Sequence, residues 1–300
     1  MDVRVIEIQK NQSRFCFEET LGAQVLSWIP NIKNLPKNHS LILPYDPKKP
    51  FFLSGNYLLF PWVNRISLFP KEFGNRESVP AKDGNGIPVH GLVFDAQWTV
   101  LQKREDFVTL QCNLKIPESI TEIAMSLTIS IAEKSVAYDL EITNLSNHSF
   151  PLAVGWHPYF SFPDTFKNSK IRIEDAKLIP LNSDLLPIYR QTKLEDKSTS
   201  PKEAIEIDLA EETQLDHLYA GTKLVYANRE NGLGLSIFSS PNSKIPIRYF
   251  QIYTPTDRKA IALEPMSNGG NFLEGPSEEI LSLSPNQKTN FAIVYEVFEL

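Results

Sequence analysis

Five stretches of the sequence place a proton-moving or hydroxyl-binding side chain among neighbours that do not suit it. In AVGWHPYFSFPD, residues 153–164, His157 stands between Trp156 and Pro158 and is followed by Tyr159 and Phe160. Such an imidazole is either a core residue with a ring nitrogen on a backbone carbonyl or a titratable group held in an aromatic pocket. In NGIPVHGLVFDAQW, His90 follows a loop carrying Gly and Pro, and Gly91 lets the backbone pass close to another segment. In LLFPWVNRI, Arg65 sits inside an apolar, strand-like stretch, where a guanidinium needs a carboxylate partner or a polar ligand. Glu264 closes the apolar run Ala260 to Leu263 in AIALEPMSNGGNF, so its carboxylate is either paired with a cation or poised for proton transfer. Asp216, in TQLDHLYAGT, is a turn or cap residue if taken alone.

The elements that must position these groups are strands. IAMSLTISI puts Ile123, Met125, Leu127, Ile129 and Ile131 on one side, VAYDLEI repeats the pattern from Val136 to Ile142, and EKS between them makes a hairpin turn. Further strands are predicted at 3–8, 99–103, 107–114, 205–209, 223–227, 233–238, 247–253 and 291–298. No window of twelve or more residues carries a capped helical stripe, and 22 prolines punctuate the chain. The reading is an all-β chain, one domain over residues 1–300, with two large antiparallel sheets packed face to face. The long connections 67–89 and 180–203 stand out, and the first is expected to matter for function. Segment 189–204 reads as a polar, mobile surface loop within that domain.

Composition narrows the function. The chain has 300 residues, 42% hydrophobic and 22% charged, with a net charge of −6. Its Lys and Arg residues are scattered, so a nucleic-acid partner is not expected. Two cysteines, Cys16 and Cys112, are too few for a disulfide framework and read as reduced thiols of a cytoplasmic protein. No apolar run reaches membrane-spanning length, so no membrane partner is expected. There is no Gly-rich phosphate loop, no dinucleotide fingerprint and no HxH, HxxxH or HExxH spacing, so neither cofactor nor metal is expected. Monomer and homodimer are both compatible with the sequence.

FPWVNRI, VHGLVFDAQW, GWHPYFSFP, LDHLYAG and ALEPMSNGGNF resemble, in the same order, the motif blocks of the aldose 1-epimerase (galactose mutarotase) family. They span residues 60–272. The resemblance implies a β-supersandwich and an isomerase that interconverts the α and β anomers of an aldose. It places the family's ligand arginine at Arg65, with Asn64 beside it, its two histidines at His90 and His157, its sugar-binding aspartate at Asp216 and its catalytic glutamate at Glu264. His157 then looks like the general acid, fixed by its aromatic flanks, and Glu264 like the base. The sequence departs from the family in the long 66–90 connection and in Ser267–Asn271, which predicts a looser loop beside Glu264. Asp95 and Trp98 read as scaffold. Three rival readings stand beside this one. A sugar-phosphate epimerase needs a second basic residue, with Arg76, Arg248 and Lys244 as possible donors. A glycosidase would pair Glu264 with Asp216, and a sugar-binding module would keep the fold without the reaction.

Overall fold

The computed structural model describes residues 4–46, 48–163, 166, 168–189, 202–209 and 214–300. Most of segment 189–204 therefore lies outside the described residues. Nineteen strands are recorded: Val5–Lys10 (β1), Ser13–Glu18 (β2), Gln24–Ile29 (β3), Asn56–Leu59 (β4), Thr99–Lys103 (β5), Phe107–Lys115 (β6), Glu122–Ile131 (β7), Ser135–Asn144 (β8), Phe150–Leu152 (β9), Gly155–Phe160 (β10), Ser169–Ile179 (β11), Lys202–Asp208 (β12), Asp216–Ala220 (β13), Lys223–Asn228 (β14), Leu233–Ser239 (β15), Tyr249–Tyr253 (β16), Ile261–Met266 (β17), Leu281–Leu283 (β18) and Lys288–Glu299 (β19). Among the described residues, helical structure is confined to short 3-10 turns such as Lys71–Phe73.

Seventeen of the described strands form one continuous antiparallel sheet that folds at β11 into two layers, the first and second sheets, while β9 and β18 pair apart from it. The first runs β1–β2–β3–β4–β10–β17–β16–β13–β11. The second runs β5–β6–β7–β8–β19–β15–β14–β11–β12. Strand β11 is the corner: Ser169 to Glu174 pair with β14 and Lys177 to Ile179 with β13. Between these segments Asp175 takes a left-handed backbone, φ 52°.

The predicted alternation is realised in β7 and β8, where every second residue is buried. Strands β4, β10 and β17 differ, because every residue in them is buried. One face of these strands meets the second sheet: the Trp156 ring on β10 lies 4.6 Å from Tyr138 on β8, and Asn56 on β4 donates to the Tyr138 hydroxyl at 3.2 Å. Since side chains alternate along a strand, the residues between them point away from the second sheet. That outer face is covered by connections, and the candidate site lies there. A single cluster of buried apolar side chains extends from Ile6 to Val297.

Candidate active site

Strand register builds the centre of the site. Tyr57 pairs with His157 across β4 and β10, and Glu264 pairs with Gln251 across β17 and β16. Between β10 and β17 the recorded pairs are Gly155↔Met266 and Tyr159↔Ala262, which set His157 opposite Glu264. Neither Pro158 nor Pro265 has an N–H to give the ladder, and paired positions resume only at Tyr159. Tyr57, His157, Glu264 and Gln251 thus form one rung across four strands, all on the same face. The next rung is Tyr159, Ala262, Tyr253 and Asp216, in which the Tyr159 and Tyr253 rings meet edge to face, 6.4 Å apart, beside the small Ala262.

His157 is stacked between the Tyr57 ring at 4.8 Å and the Tyr159 ring at 4.9 Å. The fixing rings are therefore the residue two positions on and the cross-strand partner. Trp156 and Phe160, its other aromatic flanks, face the core, because a strand sends adjacent residues to opposite sides. His157 Nε2 lies 3.2 Å from Glu264 Oε1, with the two side chains only 5% and 3% exposed.

The other groups arrive on loops. Gly91 has φ 82°, and a Cβ there would come within 2.1 Å of the Phe60 carbonyl oxygen, so glycine is required for this segment to lie against β4. The approach brings the His90 ring to 5.2 Å from that of His157 and 6.0 Å from that of Tyr57. Arg65 lies beyond the end of β4 rather than inside a strand, in an isolated bridge to Val89. Its Nε donates to Asp83 Oδ2 at 2.7 Å, and one terminal nitrogen donates to Asn64 Oδ1 at 3.1 Å. Asn64 Nδ2 donates to Gln251 Oε1 at 3.2 Å, and Gln251 Nε2 donates to Asp216 Oδ1 at 2.6 Å. Asp83, Arg65, Asn64, Gln251 and Asp216 thus form one directional belt: a guanidinium can only donate and a carboxylate only accept, which fixes both amides between them.

Rung and belt enclose a cavity of about 290 Å³, near the lower end of the roughly 300–1,000 Å³ of small-molecule sites. All six residues singled out from sequence line it: Asn64, Arg65, His90, His157, Asp216 and Glu264. Tyr159, one of the expected aromatic flanks, lines it too, as do Lys82, Asp83, Gln251 and Tyr253, which sequence reasoning missed. Gln251 and Tyr253 sit in the strand predicted at 247–253 with nothing local to distinguish them. Lys82 and Asp83 come from the 67–89 connection.

Some expectations fail. The Ser267–Asn271 loop is tied down rather than loose. Ser267 N–H donates to Val154 O, Asn271 N–H donates to Arg65 O, and Tyr189 OH donates to Gly270 O at 2.6 Å. The suggested phosphate-binding residues are not in the lining: Arg76 donates to the Ser67 carbonyl, and Lys244 lies in a separate polar hollow beside Asp139 and Glu141. Trp98 is buried scaffold, as expected.

The electrostatics of rung and belt differ. Burial, reinforced by the Asp216 carboxylate and opposed by Arg65, pushes the Glu264 carboxyl well above the usual carboxylate range. Burial and the neighbouring His90 push the His157 imidazole well below its usual value. Both shifts run against the charged forms, so burial favours a carboxylic acid facing a neutral imidazole over an ion pair at the 3.2 Å contact. His90 is lowered to about 3 by burial and by Arg65, so it stays neutral at ordinary pH. Asp216 is raised by burial, with Arg65, Gln251 and His217 pulling it back. At Asp83 burial also pushes upward, but the Arg65 bond and the N–H groups of Ile87 and Asn85 outweigh it, and the carboxyl titrates below the usual range. Among the described residues, Nδ1 of both histidines and Oε2 of Glu264 make no hydrogen bond.

The sequence profile of the aldose 1-epimerase family matches residues 4–295. The chain belongs to the aldose 1-epimerase family. Solved structures agree on the fold. The chain is 16% identical to a galactose mutarotase-like protein from Clostridium acetobutylicum, with a TM-score of 0.75 over 100% of this chain and 99% of that one. It is likewise 16% identical, with a TM-score of 0.75, to an aldose epimerase homologue from C. elegans, over 99% of each chain. A galactose mutarotase related enzyme from Lactobacillus acidophilus matches at 12% identity and a TM-score of 0.74, over 99% of this chain and 98% of that one. No curated protein matches the sequence. The fold is thus the antiparallel β-supersandwich that the family resemblance implies, in agreement with the all-β strand pattern, and this family member carries its candidate site on the outer face of the first sheet.

Proposed function

We propose that the protein is an aldose 1-epimerase, interconverting the α and β anomers of an aldose with Glu264 as base, His157 as acid and no cofactor. The observation that carries this reading is the 3.2 Å separation of His157 Nε2 and Glu264 Oε1 on the wall of a sugar-sized cavity. The pair holds one proton. Its transfer from Oε1 to Nε2 leaves a carboxylate and an imidazolium, which are the base and the acid that ring opening needs together.

In the forward step Glu264 takes the C1 hydroxyl proton, the C1–O5 bond breaks as the C1 carbonyl forms, and the ring oxygen receives the proton of His157. Rotation about C1–C2 turns the other aldehyde face to the O5 hydroxyl. Closure then runs the transfers backwards, so the pair ends with the proton it began with. Neutral His90 hydrogen-bonds near C1 and O5, Arg65 and Asp216 hold sugar hydroxyls, and Asn64 fixes the guanidinium. Tyr57 and Tyr159 keep the imidazole of His157 in plane.

The same reading treats residues 1–300 as one domain, since Ile6 and Val297 share one core. It places the protein in the cytoplasm, where Cys16 and Cys112, both free, stay reduced. A saturation-exchange NMR measurement on free aldoses tests the function. Enzyme-dependent transfer between the α and β anomeric signals is expected from wild type. Undiminished transfer in Glu264→Gln and His157→Asn proteins would overturn the assignment of base and acid.

A further inference from the structure

The belt ends in a carboxylate that the reaction itself does not need. Asp83 belongs to the long 67–89 connection, and hydrogen bonds from both directions fix its carboxylate. Its Oδ1 accepts the N–H groups of Asn85 at 2.9 Å and Ile87 at 3.0 Å, closing a turn. Val89 N–H donates to the Ala81 carbonyl and carries that turn to the cavity. Asp83 Oδ2 takes the Nε of Arg65, with both side chains mostly buried.

The charge in the cavity follows from this. Arg65 and Lys82 are the two basic residues in the lining. Arg65 is engaged by Asp83, and Lys82 Nζ donates to Glu77 Oε2 at 3.1 Å. Asp216 and Glu264 add two more carboxyl groups to the walls. A neutral sugar meets Asp216 as a hydroxyl acceptor and the N–H groups that Arg65 has not given to Asp83 or Asn64. An anionic sugar meets no unmatched cation among the described residues of the lining and comes against the Asp83 carboxylate.

Building on the aldose reading above, we infer that Asp83 is the substrate-selecting residue of this site: it occupies Arg65, admits neutral aldoses and turns away phosphorylated or carboxylated ones. It acts through Arg65 and touches no reacting atom, so it is a positioning residue whose effect shows as a ratio between substrates.

The test compares glucose with glucose 6-phosphate in wild type and in Asp83→Asn, which keeps an oxygen for the turn and loses the charge. Wild type is expected to favour glucose in kcat/KM by about tenfold or more. Asp83→Asn should shrink that preference about tenfold, chiefly through the KM of the phosphorylated sugar, and the shrinkage should weaken as salt screens the site. If Asp83 merely ties down its loop, Asp83→Asn and Asp83→Ala will depress both sugars alike and leave the ratio fixed, which overturns the inference. Inorganic phosphate titrated into the wild-type protein gives a second reading that needs no variant. Glucose exchange is expected to be unaffected, and competitive inhibition overturns the inference. If wild type exchanges neither sugar, the aldose reading fails and this inference with it. If glucose is exchanged but the ratio does not move on losing the charge, only the role of Asp83 fails.

Discussion

The two sheets each carry a rung of four paired side chains, and the rungs have opposite characters. In the second sheet Leu110, Leu127, Leu140 and Phe291 line up across β6, β7, β8 and β19, all fully buried. In the first sheet Tyr57, His157, Glu264 and Gln251 line up across β4, β10, β17 and β16, almost as deeply buried. The backbone device is the same. The apolar rung is stabilised by leaving water, whereas the polar one holds two titratable groups whose charged forms are disfavoured by the same exclusion of water. Burial that only stabilises one sheet prepares proton transfer in the other.

The contrast breaks most visibly in activity. Glu264→Gln or His157→Asn should reduce anomer exchange by about 10²- to 10⁴-fold, measured by saturation exchange, while the fold persists by circular dichroism. If these variants also unfolded the protein, the polar rung would be structural after all.

The next largest effect concerns pH. The His90 and His157 imidazoles are lowered in the folded chain, so they contribute stability that is present above about pH 6.5 and lost as the pH falls, toward about 3 for His90. The His90 shift alone corresponds to a loss on the order of 5 kcal/mol. Glu264, raised by burial, has the opposite sign: its contribution is present below about pH 4.5 and is lost as the pH rises. Thermal melting should therefore show His90→Asn less sensitive to acid than wild type, and Glu264→Gln gaining on wild type as the pH rises from 4.5. Parallel melting curves for these proteins across pH would remove the electrostatic half of the comparison.

In the apolar rung, Leu127→Ala should cost about 3 kcal/mol in denaturant unfolding. The pH dependence of exchange should stay that of wild type, since Leu127 faces the core and not the cavity. The smallest effect is expected at the joint between rung and belt. Gln251→Leu leaves the Asn64 amide without its acceptor and Asp216 without its donor, at a cost of about 1–3 kcal/mol in stability. A rise in KM larger than the fall in kcat would mark Gln251 as holding the sugar-binding groups, and a fall in kcat alone would reassign it to the acid–base pair.

These two rungs also explain what could be read in advance. Strands β1, β5 to β8, β12, β14 to β16 and β19 are predicted within a few residues, most plainly β7 and β8, which bury every second residue and so alternate in sequence. Strands β4, β10 and β17, which hold the site, were not predicted as strands. Both of their faces are covered, so GWHPYF and IALEPM show no period of two, and their prolines argue against a strand.

The sequence by itself determined the all-β architecture, the family, the five residues out of keeping with their neighbours and, through the resemblance, Asn64, because those depend on residue type and order along the chain. Only the tertiary structure decided that His157 faces Glu264 rather than a carbonyl, that Tyr57 and not Trp156 holds its ring, and that Asp83 and Gln251 complete the belt. Those are facts of strand register and loop closure. They join residues up to about two hundred positions apart, and they depend on which face of a strand is turned to the cavity, a choice that local sequence leaves open when both faces are buried.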